Sequence, residues 1–291
     1  MSTRCSKRSP IMQDERRRRL AAVLLTSDPL LKVERALAGV ETTDIDGQAE
    51  GRDSDPADLD PWPLPARRAR PPLLDPADMP KRGSGSDRGR AALLHAIAHI
   101  EINAIDLAAD MAGRFTPTLP AADRQAFLDD WTAVMMDEAR HFRLLTERLV
   151  AYGVSYGDLP AHSGLFDAAL RTRDDVAARL AVAPLVLEAR GLDVTPAMIN
   201  RLRRAGDTES ARVLEEIYED EIGHVAAGVR WFERVCAHRG LAPATAFRDL
   251  VAAYYGPGLK KPFNQEGRRR SGFPVTWYDA PELQKSFTTS S

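Results

Sequence analysis

The chain has 291 residues, 44 % of them hydrophobic, which is enough for one large domain or two small ones around a sizeable core. Its 40 basic and 42 acidic residues nearly cancel, so neither nucleic acid nor an anionic membrane is an expected partner, although local basic patches remain. Cys5 and Cys236 lie far apart and make neither a disulfide framework nor a thiolate metal site. With no apolar run near the roughly 18 residues of a membrane span, and a basic start without a signal-like core, a cytoplasmic protein in a reducing compartment is expected.

Residues 1–40 predict one or two short amphipathic helices, around 13–25 and 30–37, parted by the capping signal Ser27-Asp28-Pro29. Residues 41–60 are acidic and short of aromatics, which predicts a linker. The stretch 61–90 is rich in Pro, Arg and Gly and should wrap the outside of the domain in extended form. The organisation expected is an N-terminal helical segment at 1–40, a linker and wrapping segment at 41–88, a four-helix bundle at 89–240, and a short helix with a tail at 241–291.

The first long helix should span 89–114. Leu93, Ile97, Ile100, Ala104, Leu107 and Met111 recur at alternating spacings of four and three, a buried stripe. Glu101 sits beside that stripe, and a carboxylate on an apolar face is costly unless it is paired or bound to metal. Thr116-Pro117-Thr118-Leu119-Pro120 breaks the helix, and a second one, 121–152, should run back. It carries Asp137-Glu138-Ala139-Arg140-His141. Glu101 and Glu138 are about equally far from the break, so at about 1.5 Å rise per residue their carboxylates should meet at one level.

The stretch 153–172 reads as a long loop, with His162 as a loop residue. A third helix should start near residue 174, bend at Pro184 and present Glu188 among apolar neighbours. Residues 191–196 should interrupt it, followed by a shorter helix to about 205. Gly206-Asp207 caps a fourth long helix, to about 238, bearing Asp220-Glu221-Ile222-Gly223-His224. Counted from Gly206, Glu188 and Glu221 fall at comparable heights. A short helix at 243–254 precedes a tail that interleaves Lys260, Lys261 and Arg268 to Arg270 with Phe263, Phe273, Trp277 and Tyr278. A tail pinned by its aromatics, with its arginines on the surface, is expected ahead of one that touches RNA or phosphate.

D-E-x-x-H thus occurs twice among only six histidines. Helical residues three apart differ by about 60° and about 4.5 Å, so each Glu and its His project from one face. Soft imidazole beside hard carboxylate, presented twice, suits two closely spaced transition-metal ions. The ligands expected are Glu101, Glu138, His141, Glu188, Glu221 and His224, and these same six would carry any catalysis. One Glu from each of two helices and Glu-x-x-His from each of two others is the pattern of carboxylate-bridged dinuclear sites in four-helix bundles. His95 and His99 share a face turned away from Glu101 and should be hydrogen-bonded packing residues; Trp131 and Trp231 should belong to the core.

On these residues the sequence resembles the ferritin-like superfamily and, more narrowly, the ferritin-like family known as DUF455. The resemblance rests on His95-Ala96-Ile97-Ala98-His99-Ile100-Glu101, on 137–141, on Glu188-Ala189-Arg190-Gly191-Leu192-Asp193-Val194-Thr195-Pro196 and on Lys261-Pro262-Phe263-Asn264. It covers about residues 60–280. It implies an all-α, ferritin-like four-helix bundle with an N-terminal helical and extended arm and a C-terminal extended tail. It further implies a non-haem dinuclear protein, two irons or manganese with iron, that activates dioxygen as an oxidase or hydroxylase. The resemblance names no substrate; an electron-donor protein and a homo-oligomer fit it. A tRNA-hydroxylating relative of similar fold brings in RNA by analogy alone.

The form at 137–141 is also similar to that of bacterial multicomponent di-iron monooxygenases. That likeness implies that Asp137 and Asp220 orient His224 and His141, with Arg140 supporting the network, and Gly223 stands in the second copy where Arg140 stands in the first. Tyr218, three residues before Glu221, is placed either beside the metals or in the core. The alternative function is non-catalytic iron binding or storage, since bacterioferritin-like proteins carry both E-x-x-H copies too. The long N-terminus, the tail and the loop at 153–172 count against a cage, and the complete ligand set counts against a mere scaffold.

Overall fold

The computed structural model describes residues 10–39, 59–66, 68–74, 83, 85–162, 164–256 and 258–283. Among them the protein is all-α, without a strand, and its helix ends follow local capping chemistry. α1 (Pro10–Leu25) and α2 (Pro29–Leu37) are parted by Asp28, whose carboxylate accepts the Leu31 N–H, while Pro29 fills a first-turn position that needs no N–H. α3 (Asp87–Phe115) and α4 (Ala121–Val150) are joined through a tight turn at Thr116–Thr118. α5 (Gly164–Arg171) and α6 (Val176–Val182) follow. A π-helical segment, Ala183–Glu188, leads into α7 (Ala189–Arg204). α8 (Thr208–Arg239) is capped by Asp207 and closed by Gly240 in the left-handed conformation. α9 (Pro243–Tyr254) and the short α10 (Gln265–Arg270) and α11 (Val275–Tyr278) follow, with a last helical turn at Pro281–Leu283.

Three expectations need correction. The stretch 153–172 is not all loop, because α5 forms within it. Residues 191–196 do not interrupt a helix: α7 runs straight through Gly191 and Pro196. Finally, α3 with its following turn, Asp87–Thr118, is long and apolar enough to cross a membrane, but 72 % of its apolar window is buried inside the protein. That burial is what a core helix shows. The linker expected at 41–60 lies, except for its last two residues, outside the described residues.

The chain forms two compact units, Met1–Ala69 with Glu101–Arg143, and Arg70–Ile100 with Leu144–Ser291. In the first, buried cations strap the N-terminal segments onto α3. Lys32, fully buried, donates to the carbonyls of Val23 and Leu24 at 2.9 and 3.3 Å and to the Asp106 carboxylate. Arg68 donates to Asp106 at 2.8 Å and to the Ile102 carbonyl at 3.2 Å, next to Glu101. The Trp62 ring occupies the space beside Gly113, where a Cβ would come within 2.0 Å of it. Arg17 caps this contact, its guanidinium 5.2 Å from the Trp62 ring centre and its Nε donating to the Gly113 carbonyl at 2.9 Å.

The second unit packs α6, the π segment, α7 and α8 together, with α9 against α6 and α8. Gly228 of α8 lies so near the π segment that a Cβ there would meet Pro184 at 2.6 Å. Phe232, Phe247, Phe273 and Trp277 form an edge-to-face aromatic cluster that fixes the tail.

Candidate metal centre

The break at Thr116–Thr118 sends α4 back along α3, and in the first unit this brings Glu101 to Glu138 and His141. One ligand atom from each lies within 4.8 Å of the others. His141 Nδ1 is 3.3 Å from Glu101 Oε2 and 3.5 Å from Glu138 Oε2. The two carboxylates meet, as counting residues from the break anticipates. All three side chains are buried, with exposures of 3, 1 and 0 %. Burial pushes the Glu101 carboxyl well above its usual range; Glu138 adds to the rise, and His141 pulls against it. Two acids held together away from water beside one imidazole are costly to ionise, and a cation bound between them would offset that cost.

The second unit holds a matching group. Glu188, Glu221 and His224 each offer a ligand atom within 4.8 Å of the others. His224 Nδ1 is 3.7 Å from Glu221 Oε2; the imidazole is buried and both carboxylates are partly so. Glu188 is the last residue of the π segment, where the Ala189 N–H reaches back five residues to the Pro184 carbonyl. Such a widened turn rotates every following side chain relative to a plain α-helix, and it is common at functional sites. The third helix therefore does more than bend at Pro184: its register changes as it reaches Glu188.

Asp137 is partly exposed and pairs with Arg140 on its own helix at 3.3 Å. Asp220 is partly buried on α8. Tyr218 Oη accepts a hydrogen bond from Asn264 Nδ2 at 2.9 Å. The Gly157 N–H donates to His95 Nε2 at 2.9 Å, and His99 Nδ1 lies 2.8 Å from the Tyr156 hydroxyl, so both histidines are hydrogen-bonded packing residues. His162 accepts the Gly164 N–H at 3.4 Å just ahead of α5.

The tail is pinned by its aromatics, as expected, but one of its arginines is not where the sequence reading put it. Arg268 is not on the surface: it is 2 % exposed, binds Asp193 through Nε and Nη2 at 2.9 and 2.8 Å, and is ringed by Phe263, Phe273 and Tyr278. Arg190, two residues beyond Glu188, donates to the carbonyls of Lys260 and Pro262 at 2.8 and 3.3 Å. Neither contact left a local signal in the sequence, since the partners lie 70 and 75 positions apart.

The sequence profile of DUF455, described as a protein of unknown function, matches residues 25–279, which take in both triads and the tail segment that binds α7. A Haemophilus influenzae protein described as uncharacterized is 39 % identical over 224 residues, covering 75 % of this chain and 78 % of the relative. No solved structure matches the chain.

Proposed function

The chain belongs to the DUF455 family, and from that premise we propose that it is a ferritin-like, dinuclear non-haem metal protein that activates dioxygen. Each Glu/Glu/His triad supplies the ligands of one ion. The observation that carries this reading is the repetition: two triads of identical composition, each built from a lone Glu on one element and Glu-x-x-His on a long helix.

The donor set fits the ions. Carboxylate with imidazole and no thiolate suits iron and manganese, and four carboxylates offset the charge of two divalent cations. Two irons, or manganese with iron, supply the redox capacity for oxidase or hydroxylase chemistry. The protein's own contribution is to bind, orient and dry the site. Glu101, Glu138, Glu188 and Glu221 provide hard oxygen ligands, and His141 and His224 bind as neutral imidazoles. Asp137 and Asp220 are proposed to hold the imidazoles in one tautomer, with Arg140 steadying Asp137. Buried residues flanking the ligands, among them Ala139, Phe142 and Leu185, limit the entry of water.

Metal per chain, measured on protein purified without oxygen, tests the reading. About two ions per chain are expected, with oxygen consumption on admitting air. Glu138→Ala and His224→Ala should each lose an ion and reduce that consumption to background. Oxygen uptake that survives metal loss overturns the reading, as does wild-type protein that takes up no metal after reconstitution with Fe(II) and Mn(II). Mineralisation of many irons per chain would favour storage instead.

A further inference from the structure

Pro196 lies inside α7 and has no N–H to give the carbonyl of Leu192, four residues back. The tail supplies the missing donor. Asn264 Nδ2 donates to the Leu192 carbonyl at 3.0 Å, and the same amide nitrogen reaches Tyr218 Oη on α8 at 2.9 Å. Every other polar group of Asn264 is also engaged. Its backbone N–H donates to Asp193 Oδ1 at 2.9 Å, and its Oδ1 accepts the Gly267 N–H at 3.1 Å, capping α10.

The two anchor points bear a fixed relation to the ligands of the second unit. Leu192 is one turn beyond Glu188 on α7, and Tyr218 is three residues before Glu221 on α8. The two helices pack together and reverse about the short turn at 205–207. Both anchors therefore lie on the same side of the Glu188–Glu221 pair, about 4.5–6 Å along the helix axes. Gly267 closes the contact: a Cβ there would come 2.6 Å from Tyr218 Oη, so no larger residue leaves the phenol in place.

We propose that Asn264 is a positioning residue for the Glu188/Glu221/His224 triad. By replacing the N–H that Pro196 lacks and holding the Tyr218 hydroxyl, its amide sets the register between the helix that bears Glu188 and the helix that bears Glu221 and His224. The proposal rests on the metal-binding reading of that triad. Asn is the side chain the geometry requires: Asp has the same size but no hydrogen for the Leu192 carbonyl and would turn the Tyr218 hydroxyl into a donor, and Gln is one carbon too long to keep the cap of α10.

Full-length protein titrated with Co(II), followed by its visible bands and by bound metal, tests the proposal. Wild type should bind about two ions. Asn264→Ala and Asn264→Asp should weaken one of them by about 10–100-fold and shift the bands of that ion alone. Tyr218→Phe, which removes the second acceptor, should act in the same direction. Adding Pro196→Ala to Asn264→Ala restores the backbone bond to Leu192, and should recover thermal stability without recovering affinity, because the Tyr218 bond stays broken. Folded Asn264 variants that bind both ions with wild-type affinity and bands overturn the proposal. So does a loss that affects both ions equally and returns with stability in the double variant. Wild-type protein that takes up no Co(II) overturns the metal reading itself, and that failure is seen before any variant is made.

Discussion

Replacing Asp193 by Asn should be among the most damaging isosteric changes in the second unit. The Asp193 side chain is fully buried, and its two oxygens accept from Asn264 N, Arg268 Nε and Arg268 Nη2 at 2.9, 2.9 and 2.8 Å. Asn keeps the shape but not the charge, leaving the buried Arg268 guanidinium among three aromatic rings without its counter-ion. Removing one partner of a buried ion pair costs about 3–5 kcal/mol. The rings lie 4.4–5.2 Å from the guanidinium carbon and retain roughly 1–2 kcal/mol of cation–π attraction, so the lower end of that range applies. At about 2–4 °C per kcal/mol for a unit of this size, the thermal midpoint should fall by roughly 10 °C. Adding Arg268→Met removes the stranded charge and puts a polarizable chain in the aromatic cage, which should restore most of the loss. Thermal unfolding of metal-free protein, followed by circular dichroism, reads all three proteins. A midpoint within a few degrees of wild type for Asp193→Asn, or a double variant no better than the single, would refute the reasoning.

Two further outcomes are expected. In metal-free protein the Glu101 carboxyl has a raised pKa, so its neutral form stabilises the fold fully below the ordinary value of 4.5, and that contribution is lost as pH rises through the folded value. Glu101→Gln stays neutral, so wild type should lose stability relative to it as pH increases above 4.5; a difference independent of pH in thermal scans would contradict the burial argument. Gly228→Ala places a Cβ 2.6 Å from Pro184 Cβ at the start of the π segment. It should cost about 1–3 kcal/mol by overpacking and weaken metal binding at the second triad. An unchanged midpoint would mean that the segment yields freely.

Much of this was legible in local signals. The apolar period of α3, the proline break and the Asp207 cap each act within a turn or two of themselves, so they locate helices and let heights be counted along them. That is why the sequence alone matches Glu101 to Glu138 and Glu188 to Glu221. The stripe read on α3 was nonetheless set off the buried face: Ile100 is 41 % exposed, while Leu94, Ile105 and Ala108 are buried. The π segment was not legible, because its register depends on how closely α8 approaches, which Gly228 permits from forty residues further along the chain. α5 was missed for a different reason: it has only eight residues, and the Gly and Pro residues ahead of it made the whole stretch read as loop.

The continuity of α7 is the most instructive miss. Pro in a helix interior costs about 3 kcal/mol when judged locally, which is why Gly191 to Pro196 read as an interruption. The local judgement omits Asn264, which satisfies the freed carbonyl from seventy-two residues away. Two stretches that looked like separate motifs, 188–196 and 261–264, are thus acceptor and donor of one contact. The same contact reinterprets the basic, aromatic tail. Lys261, Arg268, Arg269 and Arg270 each face an acid within the protein: Asp279, Asp193, Glu266 and Glu219. A phosphate drawn to Arg268 would have to displace a fully buried carboxylate and open three aromatic contacts. Arg268 and Arg270 hold the tail against α7 and α8, one turn from a cluster of metal-ligand type, while Lys261 and Arg269 pair within the tail itself.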